Sequence, residues 1–423
     1  MSGYNKTVLP NGVRVISDSI PSFLSATLGL WVDVGSRDES PTENGVCHFI
    51  EHMVFKGTKS RSSFELASAL ESLGGNLNAF TSREQTCFYA RVMGEHVPIA
   101  VDVLCDMLIN PTFAEDHIGK EKGVIIEEIK DVIDTPSDHV HDLFAKAMWD
   151  KHSLGNPIMG TSELISEMTR DRLLDFKRRS YTAGRVVVAA AGNVDHDELV
   201  KLVADRLPLT QEQPRAAAHS NGNHALPTRS TSKRDSSQTN ICIGFPAYRY
   251  THPSKYALLL LHNILGSGMS SRLFQAVREE LGFAYSVYSF QDFFRDDGTF
   301  CVFLGTDDKN AARSANVILS EIDKVRNDSV TTEEFESARR QLKGNLVLGL
   351  EGTSARMNRL ARHELGYNRF IPVEESLAEI DRVTLDELRS TAREVFREDR
   401  CAAVFLGPID ESLLAQVEWE ALS

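Results

Sequence analysis

The sequence predicts an α+β protein built as two similar halves, each a mainly antiparallel sheet packed with helices. Three observations carry this expectation. A stretch rich in Pro, Ser, Asn and charge, residues 208–238, divides the 423-residue chain nearly in half. On each side of it a strand-like run leads into an apolar helix. Residues 25–35 (SATLGLWVDVG) lead to a helix around His48, and residues 238–247 (QTNICIGFPA) lead to residues 255–265 (KYALLLLHNIL). Each half also closes alike, RVVVAAAGNVD at 185–195 being echoed by RCAAVFLGPID at 400–410. Self-similarity of this kind marks a duplicated structural unit. The expected organisation is a first domain over residues 1–207, a linker over 208–238 and a related domain over 239–423.

Within the first half, Ser62 and Glu65 have the spacing of a capping box on a helix that ends near Gly74-Gly75. TCFYARVM at 86–93 and, in the second half, FCVFLGTD at 300–307 alternate as half-buried strands do. Residues 113–134 (FAEDHIGKEKGVIIEEIKDVID) read as a long helix whose Ile118 and Ile125 seat one side against the protein.

A hydrophobic content of 42% with 25% charged residues belongs to a globular chain. The formal charge of -14 argues against nucleic-acid partners, which need a basic footprint, and allows an acidic chamber to attract basic peptides. Six cysteines lie far apart, mostly in apolar runs and without a C-x-x-C pair, so they read as reduced core thiols. No apolar run approaches the roughly 20 residues of a membrane span, and the first residues resemble neither an export signal nor a transit peptide. A cytoplasmic location is the expectation.

The segment His48-Phe49-Ile50-Glu51-His52 carries the chemistry. Residues four apart on a helix lie one above the other, so His48 and His52 can grip one metal ion while Glu51 reaches the ion's water. This is the inverted zinc-peptidase pattern H-x-x-E-H. Two imidazoles and a carboxylate beside an otherwise apolar VCHFIEHMVF face need compensation, and a bound ion supplies it. Tetrahedral zinc needs a third protein ligand. The long helix offers Glu127 and Glu128, and spacing alone leaves both open. Glu121 and Glu128 are two turns apart and share a face, which suits Glu128 as ligand and Glu121 as an acceptor that fixes an imidazole tautomer. In the second half, ALLLLH at 257–262 keeps one histidine and has leucines where the first copy carries the rest of its ligand set.

With these motifs the chain resembles the pitrilysin and mitochondrial-processing-peptidase family, in particular its short bacterial processing-peptidase-like members. The likeness extends over nearly the whole chain. HFIEH matches the family's inverted motif, and EEIKD at 127–131 matches its distal ligand region with Glu128 in the ligand position and Glu121 as the supporting glutamate. SGMSSRLFQAVREELGFAYSVYSF at 267–290 resembles the segment whose arginine and tyrosine project into the active-site chamber, and these fall on Arg278 and Tyr285. GGNLNAFTSREQTCFYARV at 74–92 resembles the strand edge that pairs with an extended substrate, with Asn78 and Ala79 at that edge.

The resemblance implies two α+β domains enclosing a chamber, one Zn2+ per chain and a homodimer. It also implies endopeptidase or oligopeptidase action on unfolded or short peptides, basic or presequence-like ones included. His48, His52 and Glu128 would hold the metal, and Glu51 would be general base toward zinc-activated water. Arg278 and Tyr285 would steady the substrate and the charge of the tetrahedral intermediate. The alternative is a noncatalytic peptide-binding or assembly subunit of a larger complex.

Overall fold

The computed structural model describes residues 3–210, 227–327 and 329–422. Strands β1 (Tyr4–Val8), β2 (Arg14–Ser19), β3 (Ser25–Val32), β4 (Asn76–Thr81), β5 (Thr86–Met93) and β6 (Val186–Gly192) form a first sheet in the order β1-β2-β6-β3-β5-β4. The β2–β6 pair is parallel and its other neighbours are antiparallel. Strands β7 (Thr228–Lys233), β8 (Thr239–Pro246), β9 (Ala284–Phe293), β10 (Gly298–Thr306) and β11 (Ala402–Gly407) form a second sheet in the order β7-β11-β8-β10-β9. Here the one parallel pair is β7–β11. Removing β1 makes the two orders the same: β6 sits between β2 and β3 as β11 sits between β7 and β8. The duplication expected from sequence is therefore a duplication of topology, and both sheets are mainly antiparallel.

The chain divides into two compact units, one of Met1–Lys130, Asn156–Ala217 and Gly349–Pro372, the other of Asp131–Gly155, Ala218–Leu348 and Val373–Ser423. Each unit covers the second face of its sheet with a single helix drawn from the opposite half of the sequence. In the first unit the helix Thr353–Tyr367 lays Met357, Leu360 and Ala361 on Trp31, Val187, Ala189 and Ala191. Small alanines in β6 admit it closely, and the Trp31 indole donates to the Met357 thioether at 3.1 Å. In the second unit the helix Pro136–Trp149 lays Val140, Phe144 and Met148 on Cys242, Cys301 and Val404.

This covering explains a departure from the sequence pattern. Residues 300–307 were expected as half-buried strand, yet every residue of β10 is buried, because a helix distant in sequence closes its second face. The expected linker also differs at its far end. Residues 211–226 of it lie outside the described residues, and residues 228–233 form β7, the counterpart of β2. All six cysteines are buried and free of disulfides.

On the other face of the first sheet, Val46, Phe49, Ile50 and Met53 of the helix Val46–Val54 pack with Leu30, Phe88 and Ala90, and Ile118 and Ile125 of the helix Glu115–Asp134 join the same core. The capping box is present, with Ser62 and Glu65 bonding reciprocally at the start of the helix Ser63–Glu71. These contacts fix the two helices that bear His48, Glu51 and His52 on one and Glu121 and Glu128 on the other.

Candidate metal centre and active site

The helix Val46–Val54, called here the motif helix, begins at Gly45, whose φ of 95° is left-handed. A Cβ there would meet the Met159 carbonyl oxygen at 2.6 Å, so glycine is required on both counts. Glycine has no side chain with which to cap the helix. Glu39 does so from the preceding segment: its Oε1 accepts from Cys47 N at 2.8 Å, and its Oε2 accepts from Gly45 N at 2.8 Å and Asn44 Nδ2 at 2.9 Å. Burial pushes the Glu39 carboxyl up to about 7, against the pull of those three donors. Sequence reasoning missed Glu39. An acid a few residues before a glycine-started helix was the available signal, and it is a weak one.

The apolar face of the motif helix points into the core, which turns His48, Glu51 and His52 to the opposite side. The imidazoles of His48 and His52 stand 4.6 Å apart between ring centroids. On the Glu115–Asp134 helix, Glu121 is buried and Glu128 lies one heptad further along the same face. His52 Nδ1 is 3.1 Å from Glu121 Oε2, and Lys56 Nζ holds the other oxygen, Oε1, at 2.8 Å. That hydrogen bond places the proton of His52 on Nδ1, so Nε2 turns its lone pair outward. It faces Glu128 Oε2 at 3.4 Å, and His48 Nε2 faces the same oxygen at 3.8 Å. Glu127, by contrast, is spent on an exposed ion pair with Lys130 at 2.7 Å.

Among the described residues, His48 Nδ1 is buried without a partner, and Glu128 Oε2 is buried with no hydrogen-bond donor although its side chain is 46% exposed overall. A cation resolves this. Zinc bonds of about 2.0–2.1 Å set tetrahedral donors roughly 3.4 Å apart, and the two imidazole–carboxylate separations here are 3.4 and 3.8 Å. One ligand atom from each of His48, His52 and Glu128 lies within 4.8 Å of the others, the one such group among the described residues. Burial beside His52 lowers the His48 imidazole to about 4, so it is neutral near pH 7, as a ligand must be. The donor set fits zinc.

Glu51 accepts a hydrogen bond from Thr81 Oγ1 on the edge strand β4 at 2.5 Å, and its carboxyl is raised by burial, partly offset by that bond. Asn78 and Ala79 lie on the same strand, where the Asn78 carboxamide accepts from Ala79 N at 2.8 Å. In the second unit, Arg278 belongs to a π-helix, Phe274–Glu280, a rare form often found at functional sites. Its guanidinium lies over the Tyr285 ring at 4.5 Å and donates to the Tyr285 carbonyl at 3.0 Å, with the ring 75% exposed. His262, at the place of the motif in the second unit, instead bonds Ser289 Oγ at 2.7 Å.

Residues 14–162 match the family Insulinase (Peptidase family M16), and residues 167–342 match the Peptidase M16 inactive domain. An uncharacterized zinc protease of Streptomyces coelicolor is 40% identical over 418 residues, covering 96% of this chain and 90% of that protein. The chain belongs to peptidase family M16. An uncharacterized zinc protease of Bacillus subtilis, YmxG, is 39% identical over 394 residues, 93% of this chain and 96% of that one. A solved protease from Helicobacter pylori superposes with a TM-score of 0.88 at 20% identity, covering 96% of this chain and all of that one, a likeness of fold. M16 membership together with the His-His-Glu cluster makes the protein a zinc metalloendopeptidase. No helix among the described residues is long and apolar enough to cross a membrane.

Proposed function

We propose that the protein is a zinc-dependent endopeptidase or oligopeptidase of the bacterial processing-peptidase-like kind, acting on unfolded or short peptides, basic or presequence-like ones among them. The observation that carries this is the convergence of two imidazole nitrogens on the donor-less Glu128 Oε2 beside Glu51. His48, His52 and Glu128 would hold one zinc per chain, with Glu121 keeping His52 in its tautomer. When bound, zinc supplies a Lewis acid for a peptide carbonyl and lowers the pKa of water.

The chain's own residues do the rest. Glu51 takes up a proton at its carboxylate and returns it to the leaving amine, and its raised carboxyl suits exchange nearer neutrality than an exposed glutamate allows. The Thr81 hydroxyl holds that carboxylate in place against the strand edge. The edge strand β4, at Asn78 and Ala79, pairs with an extended peptide, so backbone rather than side chains supplies much of the binding. Arg278 and Tyr285 act on the substrate backbone and on charge developing at the carbonyl oxygen. A cytoplasmic homodimer completes the proposal.

The test is cleavage of a quenched peptide library by the purified protein, with and without a chelator, and by Glu51→Gln. The amide keeps size and metal but cannot accept the proton. Turnover is expected to fall at least about 1000-fold, consistent with loss of both general-base and proton-delivery roles. Undiminished metal-dependent turnover in Glu51→Gln defeats the mechanism, and peptide binding without cleavage by the unaltered protein points to the noncatalytic alternative.

A further inference from the structure

The first unit contains a second recognition element on the face of the sheet opposite the motif helix. Along β4, Leu77 and Ala79 pack into the core beneath that helix, whereas Phe80 belongs to the face covered by Thr353–Tyr367. On this latter face a cavity of about 310 Å³ opens beside β4, lined by Asn76, Tyr89, Arg91, Ser354 and Asn358 with Phe80 at one wall. Arg91 stands opposite Asn76 in the β4–β5 register, and Tyr89 opposite Asn78.

The chemistry of this lining is unspent. Among the described residues, the side chains of Arg91, Asn76 and Asn358 and the Tyr89 hydroxyl make no hydrogen bond or ion pair. Two other arginines of the same unit, Arg14 and Arg356, are by contrast tied to carboxylates, Glu364 and Asp18. A guanidinium with two carboxamides and a phenol, around a space of side-chain size, matches a carboxylate, which accepts a bidentate pair of N–H donors.

We propose that this cavity is a specificity pocket for an acidic side chain, Asp or Glu, of a peptide paired to β4. The proposal rests on the reading of β4 as the substrate edge. A peptide added to that edge sends alternate side chains to opposite faces, one set toward Glu51 and the other toward the cavity. Glu51 is bonded at Thr81, and Arg91 lies level with Asn76, five residues away. At about 3.3 Å per residue that is roughly 17 Å, so the acidic residue sits about three to five positions from the bond cleaved, on the side running toward Asn76. The preference is local and opposite in sign to the one the net charge suggests.

The test walks Glu, Gln and Lys singly through the positions flanking one cleavage site in an otherwise neutral peptide. Each peptide is assayed with the unaltered enzyme and with Arg91→Gln, Arg91→Glu and Asn358→Asp. The readout is the ratio of kcat/KM for Glu over Gln peptides within each enzyme, so any general loss of activity cancels. At one position the unaltered enzyme is expected to favour Glu about tenfold, Arg91→Gln and Asn358→Asp to bring the ratio toward one, and Arg91→Glu to favour Lys there. No position with a Glu preference, or a preference that survives Arg91→Gln, overturns the pocket while leaving cleavage of the neutral peptide, and hence the peptidase assignment, intact. Absence of metal-dependent cleavage of the neutral peptide as well removes the peptidase reading and the pocket with it.

Discussion

Glu121 and His262 show how the same residue types are put to different uses by their neighbours. Glu121 is buried between His52 Nδ1 and Lys56 Nζ, a position from which we propose that it orients an imidazole. Glu121→Gln is expected to weaken zinc affinity about 10- to 100-fold, measured by competition with a chromophoric chelator, while leaving thermal stability of the metal-free protein nearly unchanged. Among the described residues His262 has a hydroxyl partner and no carboxylate, and burial lowers it to about 4 from its ordinary 6.5. The unfolded chain therefore takes up a proton between these values that the folded protein refuses, and stability falls as pH drops through that window. In His262→Gln the fall should be shallower by up to about 1.4 kcal/mol per pH unit, read from urea midpoints between pH 6.5 and 4.5. At this scale the sequence was most legible where a motif fixes spacing. His48, Glu51 and His52 follow from one helical turn, whereas choosing Glu128 over Glu127 needed either the family pattern or the Lys130 ion pair that occupies Glu127.

The motif helix depends on a cap that is not its own. Removing the Glu39 carboxylate leaves Gly45 N and Cys47 N without their acceptor inside the protein. Glu39→Ala should cost about 2–4 kcal/mol in denaturant unfolding and lower zinc affinity with it, since the start of the ligand-bearing helix loosens. The helices with strong apolar stripes and the strands rich in Val and Ile were readable, because burial writes a period into them. The polar strand β7, TRSTSK, was not. It is an edge strand whose residues are at most half-buried, so nothing apolar in it marks a strand, and it looked like linker.

Across the whole molecule, the repeat was legible because both halves keep the same order of strand, helix and closing strand. The exchange of helices was not, because each covering helix is amphipathic and says only that it covers something. Its partner strands lie roughly 80 or more residues away in sequence. Leu360→Ala tests that assignment: truncating a residue 2% exposed over the first sheet should cost about 2–5 kcal/mol. The duplication also explains why, among the described residues, a candidate metal-binding group occurs in one unit and not in the other. The second unit preserved the sheet order and the helix, but its histidine was turned to a serine rather than to a carboxylate.

The central claim is that His48, His52 and Glu128 form the zinc site, and the adjacent glutamates test it most directly. Zinc content per chain would be measured in Glu128→Gln and Glu127→Gln, each purified in parallel with the unaltered protein. The account predicts about one zinc per chain in the unaltered protein and in Glu127→Gln, with little or none in Glu128→Gln. Full zinc in Glu128→Gln, or its loss in Glu127→Gln alone, would contradict it.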